Sequence, residues 1–429
     1  MTEAAPRISK AITITPAAGP LYGHVAPPGS KSITNRVLLL AALAKGTSRI
    51  TGALKSLDTK LMAAALRDMG VTVDEPDATS FVVTSTGRLT APAGPLYLGN
   101  AGTAMRFLTA AVTLVEGTVV VDGDAHMRKR PIGPLVAALQ SVGIDASDAG
   151  GYPPVTVHGT GSFGSGRIEI DGSLSSQYVS ALLMAAACGS GPVEVALTGS
   201  DIGARGYVDL TVAAMAAFGA EVAKIDAATW RIQPTGYRAA DIHVEPDASA
   251  ATYLWAAAVL TGGAIDLGVA AEDFTQPDAK AAAIIASFPH LPAEIDGSQM
   301  QDAVPTLAVL AAFNETPVRF VGIANLRVKE CDRIRALSTE LTRIRPGLAH
   351  EEGDDLVVAS DPALAGQTLP TEIETYSDHR IAMSFALAGL KIGGITILDP
   401  DCTGKTYPAY WDALASLGVG LTPRQEQAA

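Results

Sequence analysis

The chain repeats one hydrophobic pattern six times: an apolar helix-like run, a break at glycine or proline, and a β-rich run. Residues 35–42 are followed by 46–50, and residues 105–111 by 117–121. The same step recurs at 178–184 with 191–195, 253–258 with 263–267, 307–312 with 317–320, and 381–386 with 394–398. Chance similarity among alanine-rich helices is the alternative. Because the break follows the expected chemistry of a helix end each time, the pattern predicts six copies of one structural unit.

A second, more amphipathic helix is predicted in each unit, for example at 61–69, 134–142, 207–218 and 409–417. Two helices and two strand signals make a small α/β element rather than a short solenoid repeat. A chain of 429 residues is too long for one ordinary core. We therefore expect two similar lobes of three units each, with a boundary near 242–244. A cleft between such lobes is a common ligand site.

Composition and charge narrow the function classes. Apolar residues make up 48% and aromatic residues 5% of the chain, which is typical of a folded, soluble protein with tightly packed helices. The formal net charge of -13 disfavours nucleic acid and anionic membrane as partners. Any anionic ligand must therefore meet a locally basic cleft.

Targeting and redox signals point to the cytoplasm. Cys188, Cys331 and Cys402 are an odd number of cysteines, far apart, without metal-ligand spacing or a disulfide framework. Residues 11–16 lack the apolar core of a signal peptide. The longest weakly polar window, 253–265, is shorter than the roughly 20 residues of a membrane helix. We expect no export and no membrane span.

The turn at 27–36, between the first strand and the first helix, has the composition of an anion cradle. Small residues let the backbone approach a phosphate or carboxylate, Lys31 supplies a point charge, and Arg36 follows on the helix. A nucleotide P-loop is the obvious rival. That motif needs glycine directly before the lysine, whereas Ser30 separates Gly29 from Lys31 here.

Other units carry similar turns. A glycine-bearing turn opens the helix at 98–106, hydroxyls and an amide open the one at 171–178, and the densest basic block lies at 127–131. In the second half, Asp302 and the segments 325–333, 377–380 and 402–408 lie near predicted helix starts. Each has a plain structural explanation as a helix cap or a solvated loop. Together they place cations or hydroxyls at the start of nearly every unit's helix, which predicts a cleft for several phosphate and carboxylate groups.

These motifs resemble those of the 5-enolpyruvylshikimate-3-phosphate (EPSP) synthase family of enolpyruvyl transferases, in the same order and along essentially the whole chain. They are 28–32 with Asn35 and Arg36, 98–106, 175–177, 327–330 with Asp332 and Arg333, and 378–380. The resemblance implies an α/β fold of two similar lobes, each of three βαβαββ-like repeats, with chain crossings near residues 30 and 244. One lobe, 30–244, would bind shikimate 3-phosphate. The other, 1–29 with 245–429, would carry the phosphoenolpyruvate-side cations and the catalytic carboxylates, with the active site in the cleft between them.

The resemblance also implies the reaction and its residues: the 5-hydroxyl of shikimate 3-phosphate attacks C2 of phosphoenolpyruvate, and phosphate leaves from a tetrahedral intermediate. Asp302 would be the base, and Glu330 and Lys31 would move the proton at the methylene carbon, with the division between those two left open. Shikimate 3-phosphate would be held by Lys31, Ser32, Arg36, Ser175, Ser176, Gln177, Tyr207, Asp302, Asn325 and Lys329. Phosphoenolpyruvate would be held by Lys31, Gly102, Arg130, Gln177, Arg333, Arg380 and Lys405. Arg327 and Asp332 receive no role in the reaction, and salt bridges around the loop are the expectation for both. No cofactor or metal is implied, and a monomer is the family default.

Two positions depart from the family pattern, and two alternatives remain open. Ala204 stands where a phosphate-binding serine is frequent, with Arg205 beside it, and Phe107 replaces a common proline and could shift the helix that carries Gly102. One alternative is an enolpyruvyl transferase acting on UDP-N-acetylglucosamine, which typically has a reactive loop cysteine, whereas Cys188 lies in an apolar run. The other is a non-catalytic protein that binds phospho-ligands. Retention of the three predicted catalytic residues argues against it.

Overall fold

The computed structural model describes residues 11–173, 175–199 and 205–424. The chain divides into two compact units. The central unit is Pro28–Asp247, and the terminal unit combines Met1–Pro27 with Ala248–Ala429. Each unit has its own hydrophobic core. Within the described chain, no helix has both the length and the apolar character needed to span a bilayer.

The described residues form the following helices: α1 Lys31–Leu43, α2 Leu57–Asp68, α3 Gly102–Ala111, α4 Gly133–Ser141, α5 Ser176–Ala186, α6 Arg205–Ala217, α7 Ala248–Thr261, α8 Ala281–Ala286, α9 Val304–Ala311, α10 Arg333–Ile344, α11 His379–Gly389 and α12 Tyr410–Ser416. Short 3-10 turns include Met127–Lys129, Ala324–Val328 and Pro400–Lys405.

The strands are β1 Ala11–Ile14, β2 Tyr22–His24, β3 Ala44–Thr51, β4 Thr72–Asp77, β5 Ser80–Thr86, β6 Leu96–Tyr97, β7 Glu116–Asp122, β8 Asp145–Ser147, β9 Val155–Thr160, β10 Gly166–Asp171, β11 Val193–Thr198, β12 Val222–Lys224, β13 Thr229–Ile232, β14 Tyr237–Arg238, β15 Ile242–His243, β16 Ala264–Asp266, β17 Glu294–Asp296, β18 Val318–Val321, β19 Ala349–Glu352, β20 Asp355–Val358, β21 Thr368–Ile373, β22 Gly393–Leu398 and β23 Leu421–Arg424.

Each unit builds its sheets from the same local motif. In the central unit the strand orders are β10-β11-β13-β12, β6-β7-β9-β8, and β14-β3-β5-β4 with β15 also paired to β3. In the terminal unit they are β17-β18-β20-β19, β21-β22-β1-β23 and β16-β2. The third of the six repeats shows this motif in full. Strands β10 and β11 are parallel and are connected by α5, and after α6 the strands β12 and β13 are antiparallel. The order βαβαββ is therefore present.

The first helix of each repeat lies in the interior of its unit. All ten residues of α3 are buried, as are all eight of α9 and all eleven of α11. A helix that is buried on every side must be mostly apolar, and small residues let such helices approach closely. This burial explains the long alanine-rich runs that marked the six units in the sequence.

The observed elements begin earlier than the apolar pattern predicted. Helix α1 starts at Lys31 rather than at 35, and α2 starts at Leu57 rather than at 61. The additional first turns are polar, because side chains there cap the helix or face a site instead of filling the core. The predicted helices at 134–142, 207–218 and 409–417 correspond to α4, α6 and α12.

Candidate active site

The start of α1 holds Lys31 as a nearly buried cation. Ser30 caps the helix, because its hydroxyl accepts a hydrogen bond from the backbone N–H of Ile33 at 3.3 Å. The backbone N–H of Lys31 donates to Asp247 at 3.1 Å, and the ammonium nitrogen lies 3.8 Å from Asp58 Oδ2. These acceptors satisfy amide groups that a helix start leaves unpaired. Lys31 is therefore fixed where the helix dipole also favours an anion.

Arg36 is buried one and a half turns further along α1. Its Nε–H donates to the hydroxyl of Thr211 at 2.7 Å, and Nη2 donates to the hydroxyl of Ser180 at 3.2 Å. The carbonyls of Ser32 and Tyr207 accept from Nη1 and Nη2 at 2.8 and 3.2 Å. Every one of these partners is neutral. Among the described residues, no carboxylate forms an ion pair with Arg36.

Two aromatic rings flank the Arg36 guanidinium. Its central carbon lies 5.1 Å from the centroid of the Phe107 ring and 5.8 Å from that of Tyr207. Burial lowers the pKa of Arg36 to about 10, although nearby Tyr207 opposes the change. The side chain stays charged at neutral pH while its charge is not neutralised by a local anion. Such a buried cation is suited to an anionic ligand.

Gly102 is the first residue of α3 and lies close to the guanidinium groups of Arg106 and Arg130. A Cβ atom at this position would lie 2.7 Å from Arg106 Nη1 and 2.8 Å from Arg130 Nη1 and Nη2. Arg106 donates back to the Gly102 carbonyl at 3.1 Å, and Arg130 donates to Asn100 Oδ1 at 3.2 Å. Only glycine leaves both guanidinium groups where they are. This turn brings the predicted residues Gly102 and Arg130 together.

The start of α5 adds hydroxyl and amide groups to the same unit. Ser175 caps the helix by accepting from the backbone N–H of Gln177 at 3.2 Å. The Gln177 side-chain amide donates to the hydroxyl of Thr103 in the first turn of α3, at 3.2 Å. Ser176 is buried, and Tyr207 is half-buried in the first turn of α6. The starts of α3 and α5 are thus directly linked.

In the terminal unit, Asp302 joins two arginines from different helices. Its Oδ1 accepts from Arg333 Nη1 at 3.0 Å, and its Oδ2 accepts from Arg380 Nη2 at 2.8 Å. Arg380 Nη1 also lies 3.4 Å from the hydroxyl of Tyr253. Burial, opposed by Arg380, raises the pKa of Tyr253 to about 12, so its phenol remains protonated. Asp302 therefore lies at the junction of α10 and α11.

Glu330 and Lys405 complete this group. Glu330 Oε2 accepts from Arg333 Nη2 at 2.8 Å, and its Oε1 lies 2.8 Å from Lys405 Nζ. Asp378 Oδ2 accepts from Arg333 Nε at 2.8 Å. We call these six side chains the carboxylate-cation cluster: Asp302, Glu330, Asp378, Arg333, Arg380 and Lys405. Three carboxylates and three cations meet within one compact unit.

The electrostatics of Arg333 follow from this arrangement. Burial alone would lower the pKa of Arg333, but Asp378, Glu330 and Asp302 outweigh burial and raise it. Arg333 is therefore permanently charged, although only 1% of its side chain is exposed. A cation fixed by three carboxylates has a defined orientation, which is what recognition of a planar carboxylate or a phosphate requires.

The remaining predicted residues lie outside this cluster. The salt bridges expected for Arg327 and Asp332 are present: the two residues pair with each other at 2.9 Å, and Arg327 also contacts Glu351 and Asp354. Lys329 and Asn325 are half-buried beside the short turn Ala324–Val328, and Ser32 is half-buried in the first turn of α1. The buried Oδ1 of Asn325 has no hydrogen-bond partner among the described residues. An acceptor oriented in this way is suited to a ligand hydroxyl.

Sequence reasoning gave no binding or catalytic role to three acidic residues that hold the cations, although one of them, Asp378, lies in a family motif. Asp378 holds Arg333, and Asp247 and Asp58 hold the start of α1. Only Asp378 carried a detectable signal, since aspartate directly before a helix is a favoured N-cap, and its side chain does accept from the backbone N–H of Arg380 at 2.9 Å. The other two meet Lys31 through tertiary contacts that spacing does not reveal.

The two positions that depart from the family pattern have different outcomes. Phe107 is fully buried within the continuous helix α3 and contacts Arg36. Ala204 lies outside the described residues, whereas the neighbouring Arg205 donates to the carbonyl of Ala227.

Cys188 is partly buried against the central core, and burial raises its pKa to about 12. A thiol with such a pKa is a poor nucleophile.

The chemical capacity of these groups is clear. The carboxylates can accept or deliver protons, and the cations can bind phosphate and carboxylate and stabilise developing negative charge. Within the described ranges, no group of three His, Cys, Asp or Glu side chains is arranged to hold a metal ion.

Comparison with known proteins gives a consistent result across the whole chain. The family described as EPSP synthase (3-phosphoshikimate 1-carboxyvinyltransferase) matches residues 16–288 and 284–414. A 3-phosphoshikimate 1-carboxyvinyltransferase of Rhizobium etli is 74% identical over 408 residues, which cover 95% of this chain and 97% of the relative. One from Pseudomonas syringae pv. syringae is 71% identical over 410 residues, covering 96% and 98%.

Solved structures agree with these relatives. The structure of an EPSP synthase from Acinetobacter baumannii superposes with a TM-score of 0.77 at 26% identity, covering 96% of this chain and 99% of that one. The enolpyruvyl transferase NikO from Streptomyces tendae, at 18% identity, has the same fold with a TM-score of 0.72, covering 97% of this chain and 99% of that one. The predicted fold class is confirmed.

Proposed function

The chain belongs to the EPSP synthase family, and we propose that it transfers the enolpyruvyl group of phosphoenolpyruvate to the 5-hydroxyl of shikimate 3-phosphate, as a transferase of aromatic amino acid and chorismate biosynthesis. The observation that carries this proposal is the carboxylate-cation cluster. It places two carboxylates capable of proton transfer, Asp302 and Glu330, in direct contact with three cations capable of binding phosphate and carboxylate.

The reaction makes specific demands on these groups. The 5-hydroxyl oxygen forms a bond to C2 of phosphoenolpyruvate, its proton passes to a base, and C3 gains a proton to become a methyl group. Loss of phosphate from C2 and of a proton from C3 then restores the double bond in the product. The site must therefore supply one base for the hydroxyl, one group that protonates and later deprotonates C3, and cations for the leaving phosphate.

We assign the proton transfers to Asp302, Glu330 and Lys31. Asp302 takes the hydroxyl proton, because Arg333 and Arg380 hold its carboxylate in one orientation. Glu330 serves C3, with Lys405 beside it at 2.8 Å to compensate its charge. Lys31 shares this second role, and the nearby carboxylate of Asp58 keeps its ammonium in place.

We assign phosphoenolpyruvate to the cations and to the glycine turn. Arg333, Arg380 and Lys405 would bind its carboxylate and phosphate, together with Lys31, Gly102, Arg130 and Gln177. The short approach of Arg130 to Gly102 supports this assignment, since a side chain at that position would displace the guanidinium. Cations fixed in this way stabilise the departing phosphate without rearranging.

We assign shikimate 3-phosphate chiefly to the central unit. Arg36 would bind the ring carboxylate, because its buried guanidinium has only neutral partners. The other residues proposed to hold this substrate are Lys31, Ser32, Ser175, Ser176, Gln177 and Tyr207, with Asp302, Asn325 and Lys329 from the terminal unit. The serine hydroxyls and Lys329 are suited to the 3-phosphate.

We also infer a cytoplasmic enzyme that works as a monomer. The three cysteines Cys188, Cys331 and Cys402 are free thiols, which supports a reducing compartment. Size-exclusion chromatography with light scattering checks the monomer, which a stable dimer peak would exclude.

The direct test is release of inorganic phosphate. Purified protein is incubated with phosphoenolpyruvate together with either shikimate 3-phosphate or UDP-N-acetylglucosamine, and the organic product is identified by mass spectrometry. We expect release and an enolpyruvyl ether only with the shikimate ester. Absence of release with that ester overturns the proposal, and release with the UDP-sugar instead would establish the other enolpyruvyl transfer.

A further inference from the structure

A strained segment precedes the helix that carries Arg380. Tyr376 and Ser377 have φ values of 55° and 53°, although neither is glycine. Residues with side chains rarely adopt this left-handed region, and two in succession persist only where the surrounding structure holds them. We call residues Glu374 to Asp378 the 374–378 segment. Its conformation has to be imposed by neighbouring groups.

Glu340 in α10 holds this segment. Its Oε1 accepts a hydrogen bond from the Tyr376 hydroxyl at 2.7 Å, and its Oε2 accepts from the backbone N–H of Glu374 at 3.1 Å. The side chain of Glu374 accepts in turn from the backbone N–H of Tyr376 at 3.1 Å. Glu340 is fully buried, with Arg343 at 3.2 Å as its cationic neighbour. The proposed reaction does not use this buried carboxylate, so the hydrogen bonds are its evident purpose.

The 374–378 segment ends at Asp378, which holds the Arg333 guanidinium and caps the helix that begins beside Arg380. The backbone N–H of Asp378 donates to the Thr375 carbonyl at 2.8 Å, which ties it to the strained turn. Its carboxylate accepts from Arg333 Nε and from the backbone N–H of Arg380. A displacement of the turn therefore moves the carboxylate that positions Arg333 and the first turn of the helix that carries Arg380.

Glu340 and Arg333 belong to the same helix. They are seven residues apart in α10, which is about two turns and returns to the same face. Glu340 contacts the start of the 374–378 segment, and Arg333 contacts its end. One helix face therefore fixes both ends of the strained turn.

We propose that Glu340 is a positioning residue for the cations Arg333 and Arg380: it clamps the 374–378 segment so that Asp378 holds the Arg333 guanidinium and caps the helix that carries Arg380. This inference rests on the proposed function, in which the two arginines bind phosphoenolpyruvate. It assigns the clamp an effect on that substrate and none on the residues of the central unit that are proposed to hold the shikimate ester.

The test compares Tyr376→Phe and Glu340→Gln with the native enzyme. Tyr376→Phe removes the hydroxyl that donates to Glu340. Glu340→Gln replaces the carboxylate, which accepts a hydrogen bond from the backbone N–H of Glu374, by an amide. We expect KM for phosphoenolpyruvate to rise about tenfold in both variants, because small misplacements of binding groups have effects of this size. We expect KM for shikimate 3-phosphate to rise less than that for phosphoenolpyruvate. Its proposed partner Asp302 contacts both arginines, but its other proposed partners lie chiefly in the central unit.

Tyr237→Phe is the matched control. The Tyr237 hydroxyl is also buried and donates to the Met184 carbonyl at 2.7 Å, but in the central unit. It should lower the melting temperature as Tyr376→Phe does and leave both KM values unchanged. Should Glu340→Gln fail to fold, Tyr376→Phe decides the question alone.

The outcomes separate this inference from the proposed function. If native enzyme releases phosphate and Tyr376→Phe changes only the melting temperature, the clamp is merely structural and the inference is wrong, while the function stands. Equal increases in KM for both substrates also overturn it. If native enzyme releases no phosphate, the proposed function has failed first.

Discussion

The Phe107 ring lies over the guanidinium of Arg36, with 5.1 Å between the ring centroid and the guanidinium carbon. Both side chains are buried, and the contact joins α3 to α1. A ring face stabilises a desolvated cation without neutralising it. Arg36 can therefore remain charged in the core of the central unit and still attract an anion.

Replacing this ring should weaken binding of the shikimate ester. Phe107→Leu keeps an apolar side chain but removes the π face. We expect KM for shikimate 3-phosphate to rise about fivefold, which corresponds to a loss of about 1 kcal/mol from the cation-π contact. Steady-state kinetics with each substrate varied in turn measure this change. Phe163→Leu, another buried phenylalanine of the central unit, is the control. Equal effects of the two substitutions would show that packing rather than the cation is responsible.

Substitution of Gly102 should act on the other substrate. Gly102→Ala places a methyl group 2.7 to 2.8 Å from the guanidinium nitrogens of Arg106 and Arg130, so both side chains must shift. We expect KM for phosphoenolpyruvate to rise at least about tenfold, because Arg130 is proposed to bind it directly. Gly94→Ala is the control, since nothing lies within 4 Å of its added Cβ. An unchanged KM for phosphoenolpyruvate would remove Arg130 from the proposed site.

The repeats and the cation-bearing helix starts could be predicted from the sequence for a physical reason. A helix buried on all sides, such as α3 or α11, needs a mostly apolar run, and such runs are visible in any single sequence. Helix starts that hold anions need small residues, hydroxyls or cations directly before the apolar run. Both signals are local.

The contacts that orient the cations, in contrast, join residues that are far apart in the sequence. Glu340 sits in an amphipathic helix where a glutamate is ordinarily solvent-exposed, yet the 374–378 segment covers it. Asp247 accepts a hydrogen bond from the backbone N–H of Lys31, although the two residues are 216 positions apart in the sequence. Spacing along the chain carries no information about such contacts, which arise only when distant segments pack together.

Removal of the Asp302 carboxylate should reduce turnover far more than binding. Asp302→Asn keeps the size of the side chain but abolishes its capacity as a base, and we expect kcat to fall by about 10²- to 10⁴-fold. Asp354→Asn is the matched control, because Asp354 also accepts from an arginine, Arg327, but on the surface. Phosphate release at saturating substrates measures kcat, and circular dichroism checks folding. A kcat within about twofold of native would exclude Asp302 as the base.

The thiols should be unreactive in the folded protein. Burial raises the pKa of Cys188 to about 12, and burial first, then nearby carboxylates, raises the pKa of Cys331 and of Cys402 well above that of an ordinary thiol. The thiolate is the nucleophile in alkylation. We therefore expect incubation of the folded protein with iodoacetamide at neutral pH to leave its activity and its mass unchanged. The same incubation in denaturant should alkylate all three cysteines. Rapid loss of activity with one alkylated cysteine would instead point to a thiol-dependent transferase.

Stability should depend on pH through Glu340 in a direction that can be worked out. Burial raises the pKa of Glu340 above its ordinary value of 4.5. The Tyr376 hydroxyl, Arg343 and the backbone N–H of Glu374 oppose this effect without cancelling it, and the negative charge of Glu374 adds to it. Between 4.5 and the raised pKa the native state holds more protons at this site than the unfolded state, so the contribution of Glu340 to stability falls as pH rises. Glu340→Gln removes this titration. The difference in melting temperature, variant minus native, should therefore increase as the pH rises from about 4.5 to about 7. The control substitution Glu272→Gln removes an exposed carboxylate instead of a buried one. A difference for Glu340→Gln that is constant across this range would mean that Glu340 has the same pKa in the folded and unfolded chain.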